Sequence, residues 1–182
     1  MKITKILLLF LLIGSSTFGQ KYLTQTGTIQ FFSETPLENI EAVNTQVSSV
    51  LNAENGEMAF SLLLKAFLFE KALMQEHFNE KYVESDKFPK SQFKGKIENF
   101  DISKLTTEPK EFTVKGRLTI HGKTNDIVIK KKLSTTENGE ILGASTFTIN
   151  LEDYDVKIPA AVRKNISESI KITVKVTYEK FG

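Results

Sequence analysis

His77 and His121 are the only two histidines of the chain, and it contains no cysteine. Thiolate nucleophiles and the common zinc ligand sets are therefore absent. A metal centre needs several ligands that converge and are oriented by further hydrogen bonds, which two isolated imidazoles do not supply. A serine-histidine-carboxylate arrangement is defined by geometry rather than by position in the chain. A hydrolase or isomerase built on His77 or His121 is thus a rival reading, although no G-x-S-x-G elbow is present. Glu76, Glu80, Glu84 and Asp86 could divide acid and base roles only in unlike environments. They are interleaved with Lys81 and Lys87, as on a solvated segment. No catalytic residue, cofactor or metal is expected.

The phenylalanines are more telling. Of 14, Phe10 and Phe18 fall near the N-terminus, and the rest accompany four tyrosines and no tryptophan. Rings without polar handles suit a dry core or the wall of an apolar cavity. Which of the two applies depends on how the chain positions them.

The clearest element is at the C-terminus, where Ile170, Ile172, Val174, Val176 and Tyr178 alternate with polar residues, the period of a half-buried strand. Phe112, Val114, Leu118 and Ile120 repeat the pattern, with Arg117 and His121 on the other face and Gly116 interrupting it, as a bend or close backbone approach requires. Parity places Lys171 and Lys175 in water. Further strands are read at 27–33, 41–51, 57–64, 92–99, 127–134 and 141–151. The total of about eight predicts an antiparallel, all-β barrel of the size that can just enclose one ligand. Asn55-Gly56 and Asn138-Gly139 mark hairpins, and 121–125 reads as another short turn. Within Lys130-Lys131-Lys132, the middle lysine has the parity of Ile127, Ile129 and Leu133. A bulge there, or a rim position from which the ammonium reaches water, is expected.

A helix is expected from Ala66 to Phe78, its broad stripe carrying Phe67, Met74 and Phe78 with Phe69 and Leu73 beside them; Pro89 stops any continuation, and a helical turn is read near Ala160-Ala161-Val162-Arg163. The candidate lumen and mouth residues are Phe60, Leu62, Phe93, Phe112, Val114, Leu118, Ile120, Phe147, Ile172 and Val174 from strands, with Phe67, Leu73, Met74 and Phe78 from the helix. A closed sheet with apolar inward residues must fill its lumen or enclose a guest.

Lys2 and Lys5 precede an apolar run from Ile6 to Ile13 and a small-residue stretch ending at Gly19, the pattern of a cleaved export signal over residues 1–19. The run is shorter than the ~20 residues of a bilayer span. The expected mature chain, 20–182, is one domain, periplasmic or secreted, without an integral membrane span. Without Lys2 and Lys5, the 24 Lys and Arg become 22 against 22 Asp and Glu. That balance argues against a nucleic-acid partner, whose affinity comes mostly from neutralised phosphates.

With these segments placed, the chain resembles the YceI-like family of lipid- and polyisoprenoid-binding proteins. The likeness rests on Glu76-His77-Phe78 before Phe88-Pro89 and Phe93, on the run Gly116 to Thr124, and on Phe147-Thr148-Ile149-Asn150 with Asp153-Tyr154. It implies a lipocalin-like barrel, exported to the periplasm, that holds a long apolar chain without catalysis. Met74-Gln75 and Leu151 stand where family members often carry Arg-Asp and Arg. Fewer cations mean fewer charge-assisted donors for a pyrophosphate head. The partner implied is a long-chain apolar lipid: a polyisoprenoid, a quinone or a fatty-acyl compound. The alternative is a packed barrel that serves as an envelope interaction module with no lipid. The oligomeric state is left open.

Overall fold

A computed structural model describes residues 20–181; the expected export signal, 1–19, lies outside them. The described chain runs β1 (Lys21–Glu34), β2 (Asn39–Asn52), β3 (Glu57–Leu63), β4 (Leu68–Phe69), α1 (Ala72–His77), β5 (Lys90–Ile97), β6 (Lys110–Ile120), β7 (Lys123–Thr135), β8 (Ile141–Asn150) and β9 (Ser169–Phe181). The long strands follow the order β1-β9-β8-β7-β6-β5-β3-β2, and β2 pairs back onto β1. The result is a closed antiparallel barrel of eight strands, with the two-residue β4 beside β2. The β7–β8 ladder is partial: it runs only from the Lys131–Ser145 pair to the Thr135–Ile141 pair, so the mouth-side parts of these two strands are not paired with each other.

The antiparallel path sorts the connections between two ends. At one end lie 53–56, 98–109 and 136–140, together with the start of β1 and the end of β9. We call this end the floor. At the other lie 35–38, 64–89, 121–122 and 151–168, which form the mouth.

The sequence parity holds where alternation is clean. Phe112, Val114 and Leu118 are buried on β6 while Lys115 and Arg117 face water, and on β9 Ile170, Val174, Val176 and Tyr178 are buried between exposed Lys171, Lys175 and Glu179. Gly116 lies opposite Gly95 across the β5–β6 ladder, and a Cβ on it would come within 2.6 Å of the Phe93 ring. The glycine pair is what lets that ring lie flat against the sheet.

Elsewhere the pattern breaks for local reasons. β1 begins at Lys21 rather than Gly27, because a bulge between Thr24 and Ile29 shifts the inward set from Tyr22 and Thr24 to Gly27 and Ile29. β2 shifts likewise between Asn44 and Val47, where the Asn44 side chain accepts from the Gln46 N–H and donates to the Leu63 carbonyl. His121 is not an outward strand residue. With φ of 51° and 74°, His121 and Gly122 form a two-residue loop between β6 and β7 with both central residues at positive φ, the requirement of a type I′ turn. The two Asn-Gly pairs instead sit in longer connections, where only Gly56 and Gly139 have positive φ.

The expected helix from Ala66 to Phe78 is mostly something else. After a 3-10 turn over Leu64–Ala66, Leu68 and Phe69 pair with Val43 and Ala42 along the upper part of β2, beyond the end of β3. Extended pairing satisfies the β2 backbone there, and helix begins only at Ala72. It widens into a π-helical turn over Phe78–Tyr82, in which the Val83 N–H donates to the Phe78 carbonyl at 2.9 Å. The late turn is a 3-10 turn over Ala160–Val162.

Candidate functional site: the barrel lumen

Below mid-height the inward side chains meet across the barrel. Leu51, Val114, Leu133, Ile141 and Tyr178 are all at most 1% exposed. The Tyr178 hydroxyl lies 2.8 Å from the Ser49 hydroxyl, which donates to the Ala59 carbonyl at 2.9 Å. Burial drives the Tyr178 phenol pKa far upward.

Above this floor the side chains part around a cavity of about 420 Å³, within the ~300–1,000 Å³ usual for ligand pockets. Of the residues expected from sequence, Phe60, Leu62, Phe93, Leu118, Ile120, Phe147, Ile172 and Val174 line its walls. Phe67, Met74 and Phe78 line it near the mouth. Three others are placed elsewhere. Leu73 points away, 61% exposed, because the short helix turns the side carrying Met74, His77 and Phe78 to the lumen and Leu73 lies off that side. Phe112 and Val114 belong to the floor, where Phe112 meets Phe100 edge-on at 6.2 Å. Strands this long supply both a packed layer and a cavity wall from one face.

Sequence reasoning missed Ile29, Phe31, Phe69 and the Ile127–Ile129 pair, which also line the cavity. For the strand residues the signal was the same parity, hidden for Ile29 and Phe31 by the bulge; the sequence marks Phe69 only as part of the helical stripe. Phe31, Phe67, Phe69 and Phe78 form one cluster at the mouth, with ring centroids 5.1–5.7 Å apart. Such spacing is that of attractive offset and edge-on aromatic pairs.

The main surprise is Lys131. No bulge occurs there: β7 pairs in register with β6 through Lys130 and Lys131, and Lys131 faces Ser145 on β8. Nor is it at a rim. Its side chain enters the lumen, the residue is 2% exposed, and Nζ lies 5.2 Å from the centroid of the Phe60 ring on β3. Desolvation pushes its pKa down to about 8.

A family model, YceI-like domain, matches residues 16–178. The chain belongs to the YceI-like domain family. A comparison with curated proteins finds no match. Among solved structures, the fold is similar to a polyisoprenoid binding domain from Saccharophagus degradans implicated in plant cell wall breakdown. That likeness has a TM-score of 0.74 at 15% identity and covers 87% of this chain and 97% of that one. Burkholderia cenocepacia BcnA gives 0.68 at 12%, over 84% and 96%. The Campylobacter jejuni YceI protein gives 0.59 at 16%, over 76% and 83%. At these identities the likeness speaks for the fold.

From the segments that carried the YceI-like resemblance, Phe88, His121 and Tyr154 fasten the mouth, while Phe78, Phe93 and Phe147 line the cavity. His121 Nε2 lies 2.7 Å from the Glu84 carboxylate and Nδ1 lies 3.1 Å from the Tyr154 carbonyl. Both partners only accept, so the full pattern is met when both nitrogens carry hydrogen. The Phe88 ring stands edge-on to the imidazole at 4.9 Å. One side chain thus ties the 78–89 connection and the 151–154 turn to the β6–β7 turn. The hydrogen bond from His121 holds the Glu84 carboxyl below its ordinary pKa. Although His121 has a carboxylate partner, neither it nor Glu84 lines the cavity; His77 does, without a hydrogen-bonded carboxylate among the described residues. Neither imidazole therefore combines access to the lumen with a paired carboxylate.

Proposed function

We propose that the protein is a non-catalytic carrier or sequestering protein for a long apolar lipid, held in the barrel lumen of an exported, periplasmic or secreted molecule. The observation that carries this reading is the cavity: open space, walled by aliphatic and phenyl side chains, where a packed barrel would have side-chain contacts. The polyisoprenoid-binding S. degradans domain of the same fold supports it. Burying an acyl or prenyl chain contributes about 0.8 kcal/mol per CH2 before the costs of association. The packed interaction module is disfavoured by the same open space.

Native mass spectrometry of protein taken from the cell envelope tests the lipid and the export together. The expected species lacks residues 1–19 and carries one lipid per chain. Protein that is lipid-free and takes up no added long-chain lipid would sink the carrier reading, and a species retaining Met1 would sink the export reading.

A further inference from the structure

Lys131 marks the deep end of the cavity. It is the lowest β7 residue on the cavity wall, since Leu133, the next inward residue, is part of the floor. Its cross-strand partner Ser145 has the same place on β8. Two strands, β6 and β5, stand between β7 and β3 in the sheet, so an ammonium near the Phe60 ring reaches across the barrel interior. Gly143 leaves it room, as a Cβ there would stand 3.0 Å from both Cε and Nζ.

Nothing beside it neutralises it. No hydrogen bond or ion pair to Nζ occurs among the described residues, and the Ser145 hydroxyl donates at 2.7 Å to the Lys130 carbonyl. The other titratable groups of the cavity wall, Glu38, His77 and Tyr82, belong to the mouth-side connections, and Tyr178 below is bonded to Ser49. An uncompensated buried ammonium is costly. A ligand atom that accepts its hydrogen bonds and opposes its charge would offset that cost.

Resting on the lipid-carrier reading, we propose that Lys131 anchors the acidic head of the lipid, a single carboxylate inserted head-first to the bottom of the barrel with its chain running up toward the phenylalanine cluster at the mouth. One ammonium balances one negative charge. A phosphate monoester or pyrophosphate would leave further charge buried without a partner. The cost of desolvating the free lysine, seen in its lowered pKa, is relieved by such a ligand.

The test compares hexadecanoic acid, hexadecanol and hexadecyl phosphate for binding to the delipidated protein at neutral pH, using wild type and Lys131→Met. A charge-assisted hydrogen bond predicts that wild type prefers the acid over the alcohol by roughly 10- to 100-fold. The preference should vanish in Lys131→Met. Equal binding of acid and alcohol by wild type would overturn the anchor while leaving the carrier reading intact, and this comparison needs no variant. Tighter binding of the phosphate would overturn the carboxylate assignment. Failure of all three to bind would instead overturn the carrier reading on which the anchor depends. As an independent readout, NMR titration of the Lys131 ammonium should show its pKa rising when the acid binds; an unchanged value would place the head elsewhere.

Discussion

The two ends of the barrel are built from the same strands yet solve opposite problems. At the floor, Val114, Leu133, Ile141 and Tyr178 pack with almost no exposure and every polar atom named there has a partner. At the mouth, Phe67 is buried while Phe31, Phe69 and Phe78 stay half-buried around open space, spanned by a short helix and its π-helical extension. Widened turns of this kind are frequent at functional sites. The difference teaches that stability and cavity need not compete within one strand. On β6, Val114 serves the floor and Leu118 the wall, four residues apart on one face. Lys131 lies at the boundary.

The sharpest way to separate the ends is to damage the floor. Leu133→Ala should cost about 2–5 kcal/mol of stability, the range for emptying a leucine site in a packed core. Lipid bound per folded molecule should stay at the wild-type level. Chemical denaturation read beside lipid content checks this, and a parallel loss of ligand would show the two ends to be coupled.

Lys131→Met tests the boundary from the other direction. Removing a charge that the lipid-free barrel must desolvate should stabilise that form by about 3 kcal/mol at pH 7. The sign follows from the lowered pKa. Between about 8 and the ordinary lysine value of 10.5 the unfolded chain binds the proton that the folded chain has released, so wild-type stability rises with pH across that window. Below it the penalty is present in full. The stability difference between variant and wild type should therefore shrink as pH climbs from 8 to 10.5. A difference that does not change with pH would mean that Lys131 is solvated inside the lumen.

Phe78→Lys should give the smallest change in stability and a selective loss of lipid. The ring is half-buried at the rim, so a lysine there can turn its ammonium to water. Thermal unfolding should move by only a few degrees, an effect of about 1 kcal/mol or less for a domain of this size. Retained lipid should fall several-fold. Equal losses of fold and lipid would make Phe78 ordinary core, and unchanged lipid would move the entrance elsewhere.

The barrel itself was legible because its strongest strands obey a period of two. β6 and β9 could be assigned face by face, and the wall residues Leu118, Ile120, Ile172 and Val174 followed from them. What parity could not convey was height along the barrel. Phe112 and Val114 share a face with Leu118, and only the lengths of neighbouring strands decide which of them pack and which border space. The segment 66–78 misled for a different reason. Its apolar spacing fits a helix, but the unpaired upper part of β2 captures Leu68 and Phe69 first. Lys131 was read by the usual rule that charge seeks water. Its parity was correct, and the exception to the rule is what sets the residue apart.

The ladder also pairs Lys21 with Phe181, which brings both ends of the described chain together at the floor. Both ends of the described chain thus lie opposite the mouth. A dye, a surface linker or a fusion partner joined at either end of the described chain would leave from the floor side and keep the opening clear. Immobilised that way, the protein would present the mouth cluster of Phe31, Phe69 and Phe78 outward, away from the surface.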